Sequence, residues 1–104
     1  MKRAGFAMQL IPGKVEEYKR RHDEIWPELI AELEAAGVRD YAIYLDSRTG
    51  TLYASQKLTE HNRADGLAQT DIVKKWWAYM ADLMETNPDN SPVVHDLDEM
   101  FYMD

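Results

Sequence analysis

The chain has 104 residues, 19 acidic against 12 basic side chains for a net charge of −7, and no cysteine. That length suits a single domain, residues 1–104, with one modest core. The acidity argues against nucleic acid or an anionic membrane surface as partner, and the lack of cysteine excludes a disulfide framework, a thiol nucleophile and a thiolate metal site. No apolar run is long enough to span a bilayer and the N-terminal stretch has no signal-peptide core, so no membrane role and a cytoplasmic location are expected.

The first predicted element is a strand. Ala4, Phe6, Met8 and Leu10 alternate with Arg3, Gly5, Ala7 and Gln9, and Pro12-Gly13 ends the run. Helical periodicity follows from Lys14 to about Ala36, with Gly37 as its stop. Val15, Tyr18, His22, Ile25 and Leu29 fall on one side of it at the spacing of a buried face. Pro27 interrupts this stretch, because proline lacks the backbone donor and crowds the preceding turn. We therefore expect one helix ending near Asp23 and a second starting near Pro27, a favoured first-turn residue. Glu16 with Arg20, and Glu17 with Arg21, are expected to pair across single turns on the solvated side.

Tyr41, Ile43 and Leu45 alternate with Ala42 and Tyr44 in a second strand. Asp46-Ser47-Arg48-Thr49-Gly50 makes a hairpin turn into a third strand, Thr51 to Leu58. Glu60 to Ala68 has weak helical character, weakened further by Gly66. Thr70 is placed to cap another helix, with Asp71 in its first turn and Val73, Trp76, Trp77, Met80 and Met84 along its apolar side. Asn87-Pro88-Asp89-Asn90-Ser91-Pro92 is a stiff loop by composition. The final strand is expected at Met100 to Met103.

The order is strand, helix, strand, strand, helix, strand, which is the ferredoxin-like α+β arrangement with a four-stranded antiparallel sheet. Both helical elements would cover one face. The other face carries residues such as Ala7, Ala42 and Tyr44 and does not read as solvated, so a twofold copy of the chain is expected to cover it.

Two features point to chemistry. His22 titrates near neutral pH and can give or take a proton without strong perturbation. Taken alone, a histidine on an apolar face is more often a core residue. His61 and His95 lie far from it in sequence, and no histidine pair has metal-ligand spacing, so no metal is expected. Trp76-Trp77 is the second feature. Adjacent helical residues point about 100° apart, so one ring can join the core while the other lines a cavity. A tryptophan face suits the apolar side of a pyranose, and tyrosine hydroxyls suit its hydroxyl groups.

As a set, these residues resemble the L-rhamnose mutarotase family over nearly the whole chain. The most specific pieces are His22-Asp23-Glu24-Ile25-Trp26-Pro27-Glu28-Leu29, Tyr41-Ala42-Ile43-Tyr44-Leu45-Asp46, Thr70-Asp71 followed by Trp76-Trp77, and Asn87 to Pro92. The resemblance implies a ferredoxin-like fold, a homodimer forming a dimeric α+β barrel, and no metal or organic cofactor. It implies interconversion of the α and β anomers of L-rhamnose, with His22 as proton donor and Tyr18, Tyr41, Trp76 and Trp77 at the sugar. The chain departs from the family pattern at Ser55-Gln56-Lys57, which is more polar than a strand end there suggests, and at Asn62-Arg63-Ala64, which lacks a large aromatic. A tyrosine, a water or a carboxylate such as Asp89 could complete the proton circuit. Two other readings share these features: a non-catalytic sugar-binding module, and a cofactor-free monooxygenase on the same scaffold.

Overall fold

The computed structural model describes all residues from Met1 to Asp104. Strand β1 is Lys2–Gln9, helix α1 is Val15–Asp23 and helix α2 is Pro27–Ala35. Strands β2 (Val38–Asp46) and β3 (Thr51–Leu58) form a hairpin. A 3-10 turn at Ala64–Gln69 leads into α3, Asp71–Met80, and a shorter one at Ala81–Leu83 leaves it; β4 is His95–Leu97. The sheet is antiparallel throughout, with the order β2-β3-β1-β4.

Strand pairing assigns the faces. Phe6 lies opposite Ala54 and Met8 opposite Leu52, while Ile43 and Leu45 flank the same two residues from the other side. This face meets the helices, and the core closes between it and Tyr18, Leu29, Val73, Trp76, Met80 and Leu83. The reverse face carries Gly5, Ala7, Ala42, Tyr44, Tyr53 and Leu97. Nothing in the chain covers Tyr44, which is 68% exposed.

The break between α1 and α2 falls where Pro27 places it. Trp26 takes an extended backbone conformation and Pro27 occupies the first turn of α2. Gly37 ends the helix with a φ of +95°, and its N–H bonds the Glu34 carbonyl at 3.0 Å. A Cβ at this position would overlap Thr59 Oγ1 and approach Asn62 Cβ to 2.8 Å. Glycine is therefore required on two counts.

Four expectations need correction. The last strand is not Met100 to Met103. The Asn87–Pro92 loop folds on itself through a Thr86–Pro92 bridge, so the chain reaches the free edge of β1 early and pairs there at His95–Leu97. The residues beyond are held by side chains. Arg3 makes a two-pronged ion pair with Glu99 at 2.9 Å and lies 3.5 Å over the Tyr102 ring. Strand β2 begins at Val38, earlier than expected, because an irregularity between Arg39 and Ala42, with Asp40 at φ +47°, keeps Val38 opposite Leu58. Thr70 stands at the N-cap position of α3 but its hydroxyl caps no helix N–H; it donates instead to the Leu67 carbonyl at 2.7 Å, which also accepts the Thr70 N–H. Arg20 pairs with Glu17 and Glu24, which flank it on the helix, and not with Glu16. Glu17 with Arg21 forms as expected. The polar Ser55-Gln56-Lys57 stretch remains within β3, a central strand, with Lys57 3.3 Å from Asp40.

Candidate active site

Tyr18, His22, Tyr41, Trp76 and Trp77 all line one cavity of about 670 Å³, enclosed by the helices and the inner face of the sheet. Of its 28 lining residues, 22 are apolar or aromatic, so the few polar groups determine its chemistry. The helix break places His22 on the last turn of α1, and the stripe that begins at Val15 turns its ring inward. Trp76 is buried in the core while Trp77 is only half-buried, and both reach the cavity.

His22 is held on two sides. Its ring stacks on Tyr18, with centroids 4.4 Å apart, and meets the Trp76 indole at right angles at 5.4 Å. Its Nδ1 lies 3.2 Å from the Tyr18 backbone carbonyl. A carbonyl only accepts, so Nδ1 carries the hydrogen, and in the neutral ring Nε2 keeps the lone pair. Burial lowers the His22 pKa, opposed by the bond to Tyr18 and by the charge of Asp23.

Both phenols are shifted the other way. Tyr41 keeps 41% of its surface open, yet the cavity walls enclose its hydroxyl and burial pushes it up to about 12. Burial raises Tyr18 as well, and the nearby Tyr41 phenol adds to the effect. At neutral pH both are therefore protonated and serve as hydrogen-bond donors rather than bases. Asp89 is not at the cavity. Its carboxylate accepts from the backbone and the hydroxyl of Ser91, and that contact holds its pKa below the ordinary range. His61 and His95 are exposed and also lie away from the cavity. No group of three His, Asp or Glu side chains converges anywhere in the chain.

A family model described as L-rhamnose mutarotase matches residues 3–103. The chain belongs to the L-rhamnose mutarotase family. The L-rhamnose mutarotases of Bacteroides thetaiotaomicron and Formosa agariphila are 54% and 50% identical to it, each over 104 residues and the full length of both chains. The crystal structure of the Formosa agariphila L-rhamnose mutarotase superposes with a TM-score of 0.93 at 48% identity, covering both chains completely.

Sequence reasoning missed the outer support of this mutarotase-family cavity. Trp26 stacks on Tyr79 at 5.4 Å and meets Trp76 edge-on at 5.0 Å. Arg21 locks the assembly. Its guanidinium contacts Glu17 on α1, the Tyr79 carbonyl on α3 and Asp82 beyond it, and lies 4.5 Å over the Tyr79 ring. The signal available was Tyr79 lying one turn after Trp76 on the same helix side. Gln56 and Asn90 also line the cavity and were not anticipated.

Proposed function

We propose that this chain interconverts the α and β anomers of L-rhamnose, with His22 as its proton-transfer residue. The supporting observation is a histidine whose Nδ1 is tied to the Tyr18 carbonyl, set in an aromatic cavity among protonated phenols. In this reading neutral His22 first accepts the proton of the anomeric hydroxyl at Nε2. As the C1–O1 bond becomes a carbonyl, the bond from C1 to the ring oxygen breaks. His22, now charged, delivers its proton to that ring oxygen as it leaves C1, close to the oxygen that gave the proton up. Rotation about C1–C2 and the reverse sequence close the ring on the other face. No proton or electron is gained or lost over the cycle. His22 thus serves as base and then as donor, and no separate carboxylate is needed. Trp76 and Trp77 provide apolar walls for the ring and its C6 methyl, and Tyr18 and Tyr41 donate to sugar oxygens.

The element order and the β2-β3-β1-β4 strand order support a ferredoxin-like fold. The open apolar sheet face around Tyr44, Tyr53 and Leu97 supports a homodimer packed across it, closing a dimeric α+β barrel. An acidic, cysteine-free chain acting on an uncharged sugar suits the cytoplasm.

Saturation-transfer proton NMR on the anomeric signals of L-rhamnose tests the reading. Acceleration over buffer, lost in His22→Ala, is expected. Saturable binding of L-rhamnose without acceleration would instead make this a sugar-binding module.

A further inference from the structure

We infer that Asn90 is a substrate-binding residue whose carboxamide recognises a sugar hydroxyl at the cavity rim. This inference rests on the proposed sugar site and adds a specificity contact to it. Besides the tyrosines and tryptophans, the polar residues on the lining are Lys19, His22, Asp23, Gln56 and Asn90. Lys19 and Asp23 are committed to each other at 2.7 Å, and His22 is anchored on Tyr18. The Gln56 and Asn90 side chains make no hydrogen bond within the chain, although a carboxamide offers two donors and an acceptor; Gln56 is shared with a second groove beside Arg3 and Glu99, whereas Asn90 sits on the loop beside the cavity.

Its backbone, by contrast, is fixed. The Asn90 N–H donates to the Asn87 carbonyl at 2.9 Å, and the Asn87 N–H donates to the Ser91 carbonyl at 2.8 Å. Asn87 Nδ2 reaches Ser91 Oγ at 3.0 Å, and Asp89 holds the Ser91 N–H at 3.0 Å. Every other polar side chain of this loop is thus spent on internal bonds, while Asn90, an exposed residue on the cavity lining, keeps its carboxamide unpaired on a loop whose backbone is fixed. Such a group can discriminate sugars, because a wall built to bond a hydroxyl disfavours a sugar that lacks it or points it elsewhere.

A competing explanation is backbone alone. Asn90 has a φ of +71°, and asparagine is tolerated in the left-handed region. Asn90→Gly separates the two, since glycine satisfies that backbone and removes only the carboxamide. The measurement is anomer exchange of L-rhamnose across a concentration series, alongside a thermal melt. The expected result is an unchanged melt, a KM raised about three- to tenfold, as for one lost neutral hydrogen bond, and kcat within about twofold. Asn90→Asp should also fail to restore KM. An Asn90→Gly enzyme with wild-type KM for L-rhamnose overturns the assignment while leaving the mutarotase reading intact. If the wild type binds L-rhamnose without accelerating exchange, the mutarotase reading fails, and Kd from tryptophan fluorescence replaces KM. A weaker Kd in Asn90→Gly then still supports the contact, and an equal one overturns it. No binding by the wild type overturns both.

Discussion

The His22 imidazole lies against the Tyr18 ring one turn earlier, planes 25° apart, while its Nδ1 reaches 3.2 Å to the Tyr18 carbonyl. One residue thus provides both a flat wall and a backbone acceptor. Together they fix the ring's position and its tautomer.

The pH dependence follows from that placement. Burial holds the folded-state pKa of His22 below its ordinary 6.5. The neutral, proton-accepting form should therefore persist below pH 6.5, and exchange should fall only on an acid limb with its midpoint under that value. His22→Ala should lose about 10²–10⁴ of the rate. Stability has the same sign. The unfolded chain takes up this proton first as pH falls, so the stability tied to neutral His22 is full above 6.5 and is lost as pH drops through the folded value. Thermal melts at pH 7 and pH 5 should diverge less for His22→Gln than for the wild type.

Arg21 ties α1, which carries Tyr18 and His22, to the end of α3, which carries Trp76 and Trp77. Its side chain is only 12% exposed. Lysine cannot reproduce the fork or the stacking on Tyr79. Arg21→Lys should reduce kcat/KM for L-rhamnose by about tenfold, and up to about 10²-fold if the helices shift by an ångström. Steady-state exchange kinetics, with circular dichroism confirming the fold, are the check. An unchanged kcat/KM would show that the tie positions nothing.

Gly37→Ala should be among the costliest small substitutions. The left-handed backbone alone disfavours alanine by about 1–2 kcal/mol. The overlap with Thr59 and Asn62 adds to this. Urea unfolding should show a lower midpoint with an unchanged slope.

Tyr44→Arg places a charge on the open sheet face, 68% exposed in the single chain. If two copies meet there, the wild type should sediment as a dimer with a concentration-dependent melting temperature, and the variant as a monomer. A monomeric wild type at micromolar concentration would exclude the dimer.

Much of this was legible from period and punctuation. Alternation at Ala4 to Leu10 and the stop at Gly37 identified elements because local sterics decide both. The five expected site residues meet in one cavity because the apolar stripe through Tyr18 and His22 must face the sheet. The last strand was misplaced because Met100 to Met103 has strand-like composition, whereas pairing was decided by the bridge between Thr86 and Pro92. Arg21 escaped notice because its decisive partners lie 58 and 61 residues away, beyond any local pattern. Thr70 takes the N-cap position its sequence signals, but its hydroxyl is turned to donate to Leu67 in the preceding 3-10 turn and accepts no N–H of α3.

The breadth of the cavity bears on what becomes of the opened sugar. Inversion at C1 requires the aldehyde to swing through half a turn while the rest of the molecule stays in place. A tightly fitted pocket would block that swing or expel the chain. A space of about 670 Å³, walled mainly by apolar side chains, has room for that pivot. In the proposed cycle the walls, rather than the proton carrier, would then govern the partition between re-closure and escape. Narrowing those walls should trap one anomer even with His22 intact.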